Sequence, residues 1–534
     1  MFFAEKIFKN ARVATLNPEM PWAQAVAVTG GVIVGVGDNE EMEALKGSRT
    51  AVMDLEGHFM MPGFNDCHCH LLQQGLSFLN VDLTPDAAPD LETLKRRIAE
   101  RAAKVGPGKW IIGWGHNETM MKERRQPTKE ELSEAAPHNP VFLTRSCIHM
   151  SVANLMALRI AGVTDDTPDP YGGIIDRGSR GGITGLLKES AQNLVKRHIP
   201  RPQKKEIVEG ITLGSRAFVQ RGITSITDAS LLIDVDGELE GWFEAAVNGA
   251  LTLRCTTSMG EGVAARAYEV GLLSGYGNSM HRFGPVKLFM DGNIGAKTAA
   301  LTSPFLQPPY GCGVTYMEEE DLRARVKKYH NAGYQLMIHA IGDRAGDMVL
   351  DAYEAALNDN PRPNHRHRIE HVTLGSRNIP RIRSLGVCLT LQPAFIYYFG
   401  ADFTANVGAE RAAKTMATRM AQDSGAIWGI STDCPCIDAH PRYTLYGALS
   451  RKVGPTGEIL GPEEIITMEE ALAAYTRSGA YLTFEEDRKG VIRPGMLADF
   501  AVLSLNLFDL RDIGQLLDME VLHTIVGGRV VYSK

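Results

Sequence analysis

Met61-Pro62-Gly63-Phe64-Asn65-Asp66-Cys67-His68-Cys69-His70 is the stretch on which the reading of this chain turns. An apolar lead-in with a Pro-Gly turn runs directly into two histidines separated by one residue. If Phe64 to His70 is extended, successive side chains point to opposite faces. His68 and His70 then share a face with Asp66, and Cys67 and Cys69 share the other. Two imidazoles on one face of a strand end can chelate a metal ion if the strand opens into a cavity. The same pair can equally be two polar residues at a strand end, so the rest of the chain decides.

Downstream, strands and helices alternate from about residue 211, the pattern of parallel β/α architecture. The expected strands are Thr224–Asp228, Leu251–Cys255, Pro285–Phe289, Gln335–His339, His367–His371, Val387–Leu391 and Ile427–Asp433. With the opening stretch they make eight, the number that closes a (β/α)8 TIM-type barrel. Amphipathic stretches such as Glu206 to Arg221, Glu319 to Ala332 and Asp343 to Asn358 supply the helices between them. Both ends of the chain read as short strands and turns, and short strands need partners. Residues 1–59 and 485–534 are therefore expected to form one small β-sandwich, with 60–484 as the barrel. The stretch 75–210 mixes charged helical patterns with strands and Gly-rich turns, and is expected to be an inserted α+β subdomain covering the site.

In such a barrel the C-terminal strand ends converge on one mouth. The ionisable residues there are His68 and His70, Lys287, His339, His371 and Asp433. Four imidazoles, one carboxylate and one lysine form a metal-site inventory. A single strand-end histidine is readily a structural hydrogen-bond partner, but that explanation fits the whole ordered set poorly.

This ordered set resembles the amidohydrolase superfamily, and more closely amidohydrolase family 3, the branch that includes N-substituted formamide deformylase. The resemblance covers nearly the whole chain. It rests on Asp66-x-His68-x-His70, Val286-Lys287-Leu288-Phe289 with Asp291-Gly292, Ile338-His339-Ala340, Arg368-Ile369-Glu370-His371 and Ser431-Thr432-Asp433-x-Pro435. Gly490-Val491-Ile492-Arg493-Pro494-Gly495 with Ala498-Asp499 adds the family's terminal β-sandwich. The resemblance implies a hydrolase that cleaves a C–N bond in an N-acyl or N-formyl amine or a cyclic amide. It implies a divalent metal cofactor, two zinc ions bridged by N-carboxylated Lys287. His68, His70 and Asp433 would hold the more buried ion, and His339 and His371 the second. A metal-bound hydroxide would attack the carbonyl, with Asp433 as general base and then general acid. An unmodified Lys287 would instead form a salt bridge, with Asp291 as its candidate partner. Similar positions in the branch imply substrate contacts from Trp114, His116, Arg145 and His149. Gln392 and Tyr397, with Tyr398 and Phe399, follow strand 7 as a candidate aromatic wall. Two alternatives stand: a one-metal deaminase on the same fold, which usually lacks the bridging lysine, and a non-catalytic binding protein on a retained barrel.

Composition narrows the remaining classes. The chain has 534 residues, a net charge of -7 and no basic run interleaved with aromatics, which argues against nucleic-acid binding. No run of about 18 apolar residues suggests a membrane span, and no leader-like apolar segment follows the first residues. The 8 cysteines do not form the framework of a small secreted domain. A cytoplasmic enzyme acting on a small molecule is expected, and the resemblance adds a homodimer. Cys67 and Cys69 are expected to pack as small hydrophobes. His365 and His367 repeat the His-x-His spacing towards the start of a strand, where a structural role is expected.

Overall fold

The computed structural model of the protein describes residues 3–179, 181–232, 237–306, 311–454 and 456–534, the side chains of 230–232 excepted. Its centre is an eight-stranded parallel sheet: β1 (Phe64–Cys69), β2 (Ile223–Leu232), β3 (Arg254–Met259), β4 (His281–Phe289), β5 (Leu336–Ala340), β6 (Arg368–His371), β7 (Cys388–Leu391) and β8 (Trp428–Ile430). The chain is thus an α/β protein with a TIM-type barrel. Strands covered by helices outside and filled by side chains inside are buried on both faces, and every residue of β1, β3, β6 and β7 is buried. The end of the first strand is joined at the mouth to the loop that follows the last. The His70 N–H donates to the Cys434 carbonyl at 2.7 Å and the Asp433 N–H to the His68 carbonyl at 2.8 Å.

Four strands differ from the expected bounds by more than a residue; β2 runs on to Leu232 and β4 starts at His281. β3 runs from Arg254, because Leu251 to Leu253 form the buried connection from the preceding helix, with Leu251 N–H held by the Ala245 carbonyl at 2.9 Å. β8 stops at Ile430, so Asp433 lies in the loop beyond it.

The termini build two facing sheets. One contains Ala4–Lys9, Ala25–Thr29, Val32–Gly37 and Lys46–Asp54; the other contains Arg12–Ala14, Trp22–Ala23, Phe59–Pro62, Phe500–Leu503, Val521–Val526 and Arg529–Ser533. Phe8, Val26 and Ile33 from the first share a core with Val13, Met60, Phe500 and Ile525 from the second. Phe59–Pro62 pairs antiparallel with Phe500–Leu503, so the terminal sheets reach past residue 59 and hand over to β1 at Gly63. A Cβ on Gly63 would lie 2.2 Å from the Thr224 side chain of β2, so only glycine fits.

A third sheet, six strands between Val81 and Glu189, lies between β1 and β2 in sequence. Its helix Leu91–Val105 starts at Asp90, whose carboxylate accepts from Thr93 N–H, and buries Leu91, Leu94 and Ile98 at helical spacing. The chain re-enters the barrel layer with helix Lys204–Val219. That helix crosses Leu71–Ser77 so closely that a Cβ on Gly75 would stand 1.7 Å from the Gly210 carbonyl oxygen. This contact seats the helix that follows His70.

Candidate metal centre

β1 places His68 and Asp66 on the barrel interior, as the period-two argument requires. Asp66 is fully buried and accepts from the N–H groups of His68 (3.2 Å) and Thr432 (3.1 Å) and from the Thr432 hydroxyl. It therefore ties the first strand to the loop that carries Asp433; burial raises its pKa to about 7 despite these bonds. Cys67 faces outward against Cys388 and Leu482, and Cys69 packs in the main core.

The strand ends bring the expected residues together. His70 Nε2 lies 3.0 Å, and His68 Nε2 3.5 Å, from Asp433 Oδ1. Lys287 Nζ, from β4, is 3.5 Å from the same His68 nitrogen. The His371 ring stands 4.7 Å from that of His68 and 4.6 Å from that of His339. Among the described residues, His68, His70 and Asp433 bring ligand atoms within 4.8 Å of one another. His371 (φ 73°) and Asp433 (φ 57°) both occupy the left-handed region. That costs a non-glycine residue energy and marks positions where the surroundings impose the conformation. Here the turned backbone aims both side chains into the mouth.

A second layer sets which ring nitrogen is free. His68 Nδ1 donates to Glu370, a carboxylate with no exposure that also accepts from Arg368 at 2.8 and 2.9 Å and from the Thr390 hydroxyl at 2.7 Å. His371 Nδ1 donates to Gln392 Oε1 at 3.1 Å, whose amide donates to Ser431 at 2.7 Å. His339 Nε2 donates to the Gly292 carbonyl at 3.1 Å. Nε2 of His68, Nε2 of His371 and Nδ1 of His339 remain for a ligand. Burial, reinforced by the Lys287 charge, holds His68 well below the usual histidine range; burial does the same at His339 and brings His371 to about 4. Burial also pulls Lys287 down to about 8. Burial alone would raise Asp433, but the His70 hydrogen bond and the neighbouring imidazoles keep it below the carboxylate range. Neutral imidazoles at His68, His339 and His371 and an ionised Asp433 are the forms in which these groups ligate, so the donor set fits a zinc-type cation, while Lys287 at about 8 still carries its charge at neutral pH. The Lys287–Asp291 salt bridge is not formed. Asp291 instead accepts from the N–H groups of Ala300, Ile341 and Gly342 at 2.8–2.9 Å.

The centre opens into a cavity of about 1000 Å³ with an apolar wall that includes Leu72, Leu76, Phe289, Phe395, Phe399 and Phe403. Arg145 and His149 line it, and Trp114, His116, Gln392 and Tyr397 do not. His116 is buried within the insertion, bonded to Gln126 at 2.8 Å. Trp114 lies in the insertion's own sheet. Gln392 stands behind His371. After β7 the chain enters helix Ala394–Val407, and helical spacing turns Phe395, Phe399 and Phe403 to the cavity. Tyr397 faces Tyr443 and Tyr446 instead. Of the cysteines beside Asp433, Cys436 reaches the cavity, while Cys434 is buried against Gln74.

Two groups were not singled out from sequence. Glu370 lies inside a quoted motif, and its Arg-x-Glu-His spacing is the signal that could have found it. Glu189 ends the insertion's strand Ile183–Glu189 with φ 52°, and no sequence pattern marks it. It accepts from His149 Nδ1 at 2.7 Å and from the Tyr316 and Thr298 hydroxyls. His149 is thereby held with its ring 5.7 Å from that of His339. His365 and His367 lie at the opposite end of β6. There His367 bonds to His330 at 2.8 Å and accepts from Leu336 N–H at 3.1 Å.

Comparison with known proteins places this geometry. The profile of the amidohydrolase family matches residues 51–532. Protein LONG AFTER FAR-RED 3 of Arabidopsis thaliana is 30% identical, over 99% of this chain and 92% of its own. The N-substituted formamide deformylase of Arthrobacter pascens is 29% identical over 98% of both. The crystal structure of an uncharacterized metal-dependent hydrolase from Pyrococcus horikoshii OT3 superposes with a TM-score of 0.77 at 27% identity, covering 95% of this chain and 99% of that one. Among the described residues no helix is long and apolar enough to cross a membrane.

Proposed function

The chain belongs to the amidohydrolase family, hydrolases of carbon–nitrogen bonds other than peptide bonds, and from that premise we propose that it hydrolyses an N-acyl or N-formyl amine or a cyclic amide at a two-zinc centre. The observation that carries this reading is the convergence of His68, His70, Lys287, His339, His371 and Asp433 on one apolar cavity. His68, His70 and Asp433 would hold one ion and His339 and His371 the other. Lys287, carboxylated on its amine, would bridge them. Carboxylation needs the free amine, and burial, by lowering Lys287 to about 8, enlarges the fraction in that form over an ordinary lysine's. Bound there, the ions supply Lewis acidity to the substrate carbonyl and bring a water's pKa to near neutrality.

The chain's own groups do the rest. The apolar wall excludes bulk water and seats the organic part of the substrate. Asp433, ionised and aimed by its backbone, takes the proton of the attacking water and delivers it to the leaving nitrogen. Amide and water thus become carboxylic acid and amine. His149, fixed by Glu189, and the Tyr316 phenol present polar atoms to the reacting group. The test is turnover of a panel of formamides, acyl amides, lactams and aminopurines, with metal content measured alongside. Release of formate or carboxylate with two ions per chain supports the reading. Ammonia release from aminopurines with one ion and an unmodified Lys287 would replace it with a deaminase.

A further inference from the structure

The cavity wall carries a lysine, Lys196, that hydrolysis does not use. Its mouth is crossed by the segment Lys196-Arg197-His198-Ile199-Pro200-Arg201-Pro202, which leads from the insertion back to the barrel. Lys196, Arg197 and Arg201 all line the cavity, with Ile199, Pro200 and Pro202 between them. Arg197 is exposed and Lys196 is partly buried. Among the other charges on the wall, Arg201 and Glu238 each have an interaction of their own. Arg145 donates to Glu118 at 2.7 Å, Glu189 accepts from His149, and Asp433 belongs to the centre. Of the remaining carboxylates, Asp402 lies in the field of Arg145, and Glu238 is buried. Lys196 makes no hydrogen bond or salt bridge among the described residues. The acid nearest it in effect is Glu189, whose oxygens already take three donors. Burial brings the amine to about 8, so it still carries charge at neutral pH. A partly desolvated cation without a protein partner, on the wall of a largely apolar cavity, is a receptor for an anion. Arg197, exposed, and Arg201 place two guanidinium groups on the same segment, and cations at an entrance favour the approach of an anionic ligand.

We propose that the substrate carries an anionic group, a carboxylate or a phosphate, on the part remote from the reacting carbonyl, and that Lys196 binds it with Arg197 and Arg201 at the entrance. This deepens the hydrolase reading and rests on it. The probes are two formamides of equal size, one bearing a benzoate carboxylate and the other its uncharged carboxamide, with a phosphonate analogue as the third. Turnover is compared in the zinc-loaded wild type. Binding is measured by calorimetry on zinc-loaded Asp433→Asn, so recognition is read without chemistry.

The carboxylate or the phosphonate is expected to bind at least about ten-fold tighter than the carboxamide, the scale of one charge-assisted hydrogen bond. Which anion gains more distinguishes the two chemistries. Lys196→Met in the Asp433→Asn background should remove most of that preference, Lys196→Arg should keep it, and added salt should shrink it. Equal binding of charged and uncharged probes, or a preference untouched by Lys196→Met, overturns the anion subsite. Failure of every probe to be hydrolysed, with the charged probe still preferred in binding, overturns the N-formyl amine as substrate and leaves the subsite standing.

Discussion

Replacing Glu370 by glutamine separates a support of the metal centre from a mere core residue. Its Oε2 takes three donors: Arg368 Nη2 at 2.9 Å, the Thr390 hydroxyl at 2.7 Å and His68 Nδ1. Its Oε1 takes one, Arg368 Nε at 2.8 Å. A glutamine amide must give its oxygen to the crowded side, which leaves its NH2 facing the Arg368 Nε–H. One charge-assisted hydrogen bond becomes a donor–donor contact, and the Arg368 guanidinium, without exposure, loses its counter-charge. Losing such a bond costs about 1.5–3 kcal/mol, and stripping a buried ion pair entirely costs about 3–5 kcal/mol. Glu370→Gln should therefore lower metal-free stability by about 2–4 kcal/mol. Because His68 is then held by a neutral acceptor, metal affinity should also fall, by about 10–100-fold. Denaturant unfolding of the stripped protein reads the first effect, and competition with a chelator of known affinity reads the second. Wild-type metal affinity in a destabilised but folded Glu370→Gln would refute the supporting role and leave Glu370 a packing residue.

Asp433→Asn should keep the protein folded and metal-bound while lowering kcat by about 100–10,000-fold, the usual span of general acid–base contributions; steady-state turnover with metal analysis checks it. His330, His365 and His367 are buried as neutral rings, with burial lowering all three pKa values. Folded values below unfolded ones mean that this stability is complete above about pH 6.5 and is lost as pH falls from there towards the folded values. Unfolding free energy should therefore fall between pH 7 and pH 5, by up to about 1.4 kcal/mol per pH unit for each proton taken up; the drop should be shallower in His330→Gln. Gly75→Ala should destabilise by about 1–3 kcal/mol, because its methyl would meet the Gly210 carbonyl; a thermal-unfolding midpoint equal to wild type would contradict the close helix crossing.

The barrel was legible because short apolar runs alternate with amphipathic helical stretches. His68, His339 and His371 stand at or next to the mouth ends of such runs, and Lys287 two residues before the end of its own. What the sequence could not show lies in directions that no period encodes. Asp433 reaches the mouth from a loop beyond β8, on a left-handed backbone. Tyr397 and Phe399 are two residues apart, and only the helix beginning at Ala394 decides that the phenylalanine faces the cavity. Glu189 is brought to His149 by a turn at the end of an inserted strand. Glu370 was readable as a letter in a motif, but its bond to His68 spans 302 positions and depends on the closed sheet.

The proposed two-metal hydrolysis depends on the number of ions at the barrel mouth and on the state of Lys287. Metal analysis of protein purified with zinc and bicarbonate, combined with NMR of protein grown on labelled bicarbonate, measures both at once. Two ions per chain and a carbamate signal that disappears in Lys287→Met are the expected result. A single ion per chain with an unmodified lysine would contradict the two-metal centre.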